Sequence, residues 1–424
     1  MTISDPFISR SWRHRFWQQK RVKWIATYLA LLIGLALLAP ILCSDLPFSC
    51  QYQGQQLHPF WNPDQLIEVE QPRGAPLILS ARQIDWHELE LAESSWPLFP
   101  YRRRARIAHR ELSPFGIQTV RGGKRLTPRM RHWLGTDQAG RDILALILHG
   151  IHISLGIGVL GTLLAGLTGF LIGSLAGYFG DDRLRIPGFL RWSLLPVGFL
   201  GLWLGFIRKS PVFAQADGLH WWGEFLLSLG IMVVICAILW GTIYLIVPKS
   251  KGRATYLKID FFISRVIEVL DSLPQLLLII SLGAILSRDL WTFFFLLTLT
   301  SWSGVARLVR AETLRLRDAD YIKAARISNI PNVRILWRHI WPQVLPMLLI
   351  PLAFGVGNII IAESSLSFLG IIEDSQSWGS ILSEAVHIRR VWWLPVVPGM
   401  AIFLTVLAIN VLGESLRKAL AVTT

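Results

Sequence analysis

Long apolar runs separated by short polar and basic segments set the pattern of this chain. A helix needs about 20 mostly apolar residues to cross a hydrocarbon core of about 30 Å. Eight runs approach that length, at 24–43, 150–176, 187–207, 224–247, 262–286, 291–310, 344–362 and 394–413. The third is the least regular, because Pro187, Arg191 and Pro196 interrupt it. The pattern predicts an all-α polytopic membrane protein of about eight transmembrane helices. A basic N-terminus (1–23) precedes the first helix (24–43), a loop region (44–140) follows it, and the remaining spans form a transmembrane domain over 141–420.

Composition agrees: 52% of the residues are hydrophobic and only 17% are charged, against roughly 25% charged in soluble domains. The formal charge of +14 would suit a nucleic-acid binder, but Lys and Arg beside spans are the ordinary mark of cytoplasmic loops. A nucleic-acid partner is therefore set aside, and the bilayer is the expected partner of the basic residues. The same rule places both termini in the cytoplasm, together with 180–185, 248–258 and the basic stretch around 320–342. Residues 44–140 then fall outside despite "YRRRARIAHR" and "RGGKRLTPRMRH", since loops longer than about 60 residues translocate with little regard to charge. The 24–43 run exceeds the core of a signal peptide and no small-residue cleavage site follows it, so an uncleaved anchor is expected.

Catalytic chemistry is hard to find. No G-x-x-x-x-G-K-[ST] loop is present to cradle nucleotide phosphates, and neither H-E-x-x-H nor G-x-S-x-G occurs. His149 and His152 lack carboxylate company in sequence. "GIGVLG" (156–161) fits the letters of a dinucleotide fingerprint but lies inside an apolar run, where no strand precedes it. Gly161, Ala165, Gly169, Gly173 and Gly177 recur every fourth residue and predict a smooth ridge for close helix packing. Cys236 lies in an apolar run, and the positions of Cys43 and Cys50 leave a disulfide open if their side is oxidising.

The stretch "DYIKAARISNIPNVRILWRHIWPQVLP" (320–346) breaks the apolar pattern. Tyr321, Ala324, Ala325 and Ser328 predict a small-residue helical face, with Lys323 elsewhere around the helix. Asn329 suits a left-handed C-terminal cap, and Pro331 suits the first turn of a following helix. A short helix, a tight turn and a second helix up to Pro342 are expected at the cytoplasmic membrane face. The residues leave two readings open, a docking element and an interfacial amphipathic helix.

These residues carry a family resemblance. The stretch resembles the coupling loop of bacterial ABC importer permeases, with its E-A-A-x-x-x-G pattern and a hydrophobic residue before Pro. Here that reads Lys323-Ala324-Ala325-x-x-x-Asn329, ending in Ile340-Trp341-Pro342. Lys323 stands where Glu is usual, and Asn329 where Gly is usual. "HWLGTDQAGRDILALILHG" (132–150), "GYFG" (177–180), "RVIEVLDSLP" (265–274), "VARLVRAETL" (305–314), "SSLSFLG" (364–370) and "SWGSIL" (377–382) follow in order. They resemble the dipeptide/oligopeptide/nickel permeases of the second-permease type. Residues 44–60 loosely resemble the subgroup associated with microcin-peptide uptake.

The resemblance implies a six-helix ABC permease core, into which 187–258 is inserted carrying two extra spans, with an extracytoplasmic loop domain before it. It also implies an inner-membrane subunit of an importer for peptides or related solutes, itself no enzyme and holding no cofactor. ATP and magnesium would sit on two partner ATPases, and a second permease and an extracytoplasmic binding protein would complete the assembly. The loop 320–342 would couple the permease to the ATPases. Charged residues in spans are functional candidates by default. Arg265 and Glu268 are expected to pair, Asp271 stands where the family is usually apolar, and Glu363 faces either the pathway or the interface. Two rivals remain: a secondary transporter, and a membrane-anchored scaffold whose 44–140 region does the work.

Overall fold

The computed structural model describes residues 14–69, 77–84, 86, 89, 93–101, 118, 131–137, 139–183, 185–186, nine positions between 227 and 239, 255–256, 258–284, 286, 288–372, 376–386 and 392–421. They are mostly helical. The helices are α1 (Lys20–Leu42), α2 (Ile143–Phe179), α3 (Ile259–Ser272), α4 (Gln275–Gly283) and α5 (Leu290–Arg317), followed by α6 (Asp320–Ile327), α7 (Asn332–Phe368), α8 (Trp378–Val386) and α9 (Trp393–Ala421). Among the described residues α1, α2, α5, α7 and α9 are each long and apolar enough to cross a membrane, and α3 with α4 makes a sixth candidate. The expected span at 187–207 lies outside the described residues. So does most of 224–247, whose nine described positions are helical.

The run at 262–286 is not one straight helix. α3 and α4 meet at an angle of 87°. Leu273 is extended, with φ −97° and ψ 133°, ahead of Pro274. Proline lacks the N–H that would continue the ladder, and its ring drives the preceding residue out of the helical region. At about 1.5 Å per residue, α3 and α4 reach only about 21 Å and 14 Å, so neither crosses about 30 Å of hydrocarbon alone.

The chain forms two compact units. One comprises Met1–Gly158, Ile360–Gly370 and Asp374–Ser415; the other comprises Val159–Ile359, Ile371–Glu373 and Leu416–Thr424. In the first unit, the 44–140 region contains strands that hydropathy did not announce. β1 (Ser49–Tyr52) pairs antiparallel with β2 (Gln55–Leu57) and β5 (Ser94–Ser95), and β3 (Leu66–Val69) pairs with β4 (Leu77–Ser80). Gln53 and Gly54 join β1 to β2 with φ of +50° and +76°. Two left-handed residues give the tight turn whose twist matches a hairpin. Leu46, Cys50, Leu57, Ile67, Trp86 and Trp96 close over these strands as a small core, and Trp86 donates its indole hydrogen to Ala81 O at 2.8 Å. Cys50 is a free thiol in this core, whereas Cys43 is a free thiol packed beside Ala39 and Ala145. The disulfide left open by the sequence is not formed.

The second unit packs α2, α5, α6 and α7 around Phe170, Tyr178, Val309, Ile322, Ile335 and Ile340. Here β6 (Arg185–Ile186) pairs antiparallel with β7 (Thr255–Tyr256). The two ends of the intervening segment therefore lie side by side.

Candidate functional site

The turn in 320–342 is built as a Schellman cap. Asn329 has φ of +58°, its N–H donates to Arg326 O at 2.9 Å, and Ile330 N–H donates to Ala325 O at 3.2 Å. These two bonds satisfy carbonyls that the end of α6 would otherwise leave bare. Ala325 and Ile330 pack against the shared apolar cluster, as the motif's hydrophobic contact requires. Pro331 sits one position before the first helical residue rather than inside the first turn. Asn332 Oδ1 then accepts the Tyr178 hydroxyl at 2.8 Å, tying α7 to the end of α2.

The second helix does not stop at Pro342. It continues as α7 through a π turn at Leu336–Ile340, where Trp341 N–H reaches back to Leu336 O. A π turn re-aims carbonyls just where the Pro342 ring would meet the carbonyl four residues back. Ile322 and Ile340 are fully buried. On the other side of α6, Tyr321, Ala324 and Ser328 are exposed and Ala325 is half-buried. Ile327 belongs to this bare face at 87% exposure. Its spacing of three from Ala324 was the available signal, and the sequence reading passed over it. Lys323 Nζ lies 3.1 Å from Asp320 Oδ1, and Tyr321 donates to Gln343 Oε1 at 3.1 Å.

The small-residue ridge of α2 lies largely against α5. A methyl group added at Gly169 would fall 2.7 Å from Trp302 O, and one at Gly177 would fall 2.7 Å from Arg310 O. Gly173 is closer still, against the backbone of Ala306. Ala165 is buried with Ile267, Trp302 and Ala306, while Gly161 faces Ile359 and Phe294.

Beside the bend, α3 and α5 are joined by charge. Asp260 accepts from Arg310 Nε and Nη2 along one edge of the guanidinium, Asp271 pairs with Arg307, and Arg265 pairs with Glu268 on its own helix. Ser303 donates to Asp271 Oδ1 at 2.9 Å, and Gln275 donates to the hydroxyls of Thr300 and Ser301 at 3.0 and 3.1 Å. A cavity of about 310 Å³ opens at this corner.

Glu363, in the first unit, is at neither of its two expected places. It is fully buried and accepts hydrogen bonds from Ser367, Ser364 and Ser154 at 2.8, 3.4 and 3.5 Å.

The 132–150 stretch builds a buried polar constellation at the start of α2. His132 Nδ1 meets Asp142 Oδ2 at 2.8 Å, and Asp142 Oδ1 accepts Ala145 N–H at the start of α2, also at 2.8 Å. Tyr101 stacks on the His132 ring with centroids 4.1 Å apart. Gln118 bonds both the N–H and the C=O of His132 at 2.8 Å. Arg141 bridges Asp137 and Glu384. Gly135 and Gly140 of the motif take φ of +77° and +76°, which explains their place in it.

Residues 252–422 match the family described as binding-protein-dependent transport system inner membrane component. A protein assigned as a peptide transport system permease in Brucella suis is 36% identical over 197 residues, covering 46% of this chain and 65% of that relative. The dipeptide transport system permease protein DppC of Bacillus subtilis is 28% identical over 299 residues, 70% of each chain. The inner membrane ABC transporter permease protein YejE of Escherichia coli is 25% identical over 424 residues, 99% of this chain and 98% of its own. With its multiple apolar helices and these matches, the chain is similar to the permeases of peptide ABC importers, and residues 252–422 carry the region described by the family model.

Proposed function

We propose that this chain is one transmembrane permease subunit of an ATP-driven importer for peptides or related small solutes. It would form half of a translocation pathway with a second permease, receive substrate from an extracytoplasmic binding protein, and be driven by two cytoplasmic ATPases that carry ATP and magnesium. Eight spans with both termini inside and 44–140 outside complete the reading. The β6–β7 ladder supports it, because a segment whose ends pair side by side returns to the face it left and so crosses an even number of times.

The observation that carries the coupling role is the construction of α6. One face is anchored by the fully buried Ile322, the C-terminus is locked by the Schellman cap, and the opposite face of Tyr321, Ala324, Ile327 and Ser328 is left bare. Small side chains on a bare helical face let a partner's groove approach closely. A rigid cap and a continuous α7 then give a push on α6 a stiff route into a span. Lys323 reverses the family's usual charge, and the partner groove is expected to hold an acid opposite it. The test is reconstitution with the ATPases and binding protein, measuring substrate-stimulated ATP hydrolysis. Normal stimulation in Ala324→Trp and Ile327→Asp variants that assemble fully would remove the coupling role.

A further inference from the structure

A partly open cavity of about 310 Å³ lies at the bend between α3 and α4, its wall mixing apolar side chains with Asp271, Gln275, Thr300, Ser301, Ser303 and Asn358. We propose that this cavity is a substrate subsite for the free ammonium group at a peptide's amino terminus, with Asp271 as its counter-charge. The inference rests on the peptide-importer reading above.

Among the described residues, Asp271 is the one charged side chain in the cavity wall. It also lies in the last turn of α3, where carbonyls lose their helical partners and place partial negative charge at the helix end. Pro274 brings no N–H of its own to cancel this. Broken helices in transporters use such C-terminal ends for cations. The carboxylate is oriented but not saturated: Oδ1 accepts from Ser303 and Oδ2 faces Arg307, while a carboxylate offers about four acceptor positions. Arg307 is 59% exposed, so it serves as a screened resting counter-ion outside the cavity wall. An arriving ammonium can share or replace it without leaving a bare acid in an apolar wall.

The remaining ammonium hydrogens also find acceptors. Gln275 uses its amide N–H group on Thr300 and Ser301, which leaves its Oε1 to accept. The hydroxyl oxygens of Thr300 and Ser301 and the Asn358 amide oxygen line the same wall. Size sets the extent of the ligand. Ligand pockets start at about 300 Å³, so this one takes a chain terminus rather than a whole peptide.

The experiment uses the full complex with its binding protein in proteoliposomes. ATP-dependent uptake of trialanine is compared with that of N-acetyl-trialanine, in wild type, Asp271→Asn and Ser303→Ala. Because the binding protein is the same throughout, a change in the ratio of the two uptakes reports on the permease. The ratio is expected to fall about tenfold in Asp271→Asn and about threefold in Ser303→Ala, which keeps the carboxylate and covers the case in which Asp271→Asn fails to assemble. An unchanged ratio in the assembled variants overturns the subsite and leaves the importer reading standing. Failure of the wild-type complex to take up either peptide overturns the importer reading itself, and the subsite with it.

Discussion

Tyr178 donates its hydroxyl hydrogen to Asn332 Oδ1 at 2.8 Å, joining the last turn of α2 to the first residue of α7. The ring is fully buried, with Arg183 and Arg326 over it at 5.0 and 5.6 Å. Tyr178→Phe keeps the ring and both cation–π contacts and loses one hydrogen bond, costing about 1 kcal/mol. Tyr178→Ala removes a core aromatic and should cost about 3–5 kcal/mol. Thermal unfolding of the detergent-solubilised protein should rank them wild type, Phe, Ala, with a clear gap before the last. Equal losses in both variants would show that the hydroxyl, not the ring, holds this corner.

Asn329→Gly should be nearly silent, because both residues adopt the φ of +58° found here. Asn329→Val should cost about 1–2 kcal/mol locally, and that cost falls on the cap that fixes α6. Substrate-stimulated ATP hydrolysis should fall in the Val variant while membrane insertion stays intact. Full stimulation in Asn329→Val would mean that the cap is not part of the coupling path.

Gly173→Leu should abolish accumulation of folded protein, because any Cβ there collides with the backbone of Ala306, and backbone cannot turn aside as a side chain can. Gly156, on the same helix, has open space around its Cβ position, so Gly156→Leu is the matched control and should accumulate normally. Expression and size-exclusion profiles measure both.

Asp142→Ala leaves a buried histidine and the N-terminus of α2 without their acceptor. Leaving a buried donor without its acceptor costs about 1–3 kcal/mol. Asp142→Asn retains an oxygen for Ala145 N–H and should fall between wild type and Ala in melting temperature.

Burial pushes the Cys50 thiol up to about 11, from an ordinary value of 9.0. The proton is thus held more tightly in the folded state. This contribution to stability is present below pH 9 and is lost as the pH rises toward 11. Only the thiolate alkylates, so iodoacetamide at pH 8 should modify Cys50 about 100-fold more slowly than a cysteine placed at the exposed Gln56. Comparable rates would show that the small core around Trp86 opens readily.

The five straight spans among the described residues and the 320–342 turn were legible because their signals are local. About 20 consecutive apolar residues define a span regardless of context, and Asn329 announces a left-handed cap wherever it follows a helix and precedes Ile-Pro. The bend at Pro274 had a local signal too, but the apolar run passes straight through it and hydropathy averages it away. The strands of 44–140 are two to four residues long, too short for alternation to register. Glu363 could not be placed at all, since its enclosure depends on Ser154, 209 residues away. Its burial is a property of the folded chain, not of any window of sequence.

The pairing of Arg185 with Tyr256 and of Ile186 with Thr255 brings the two ends of the segment between them within reach of a single turn. Antiparallel partners stand about 5 Å apart at their Cα atoms, a gap that a two-residue turn closes. The chain can therefore gain or lose everything between residues 186 and 255 at the cost of one hairpin loop, without re-threading any helix that follows.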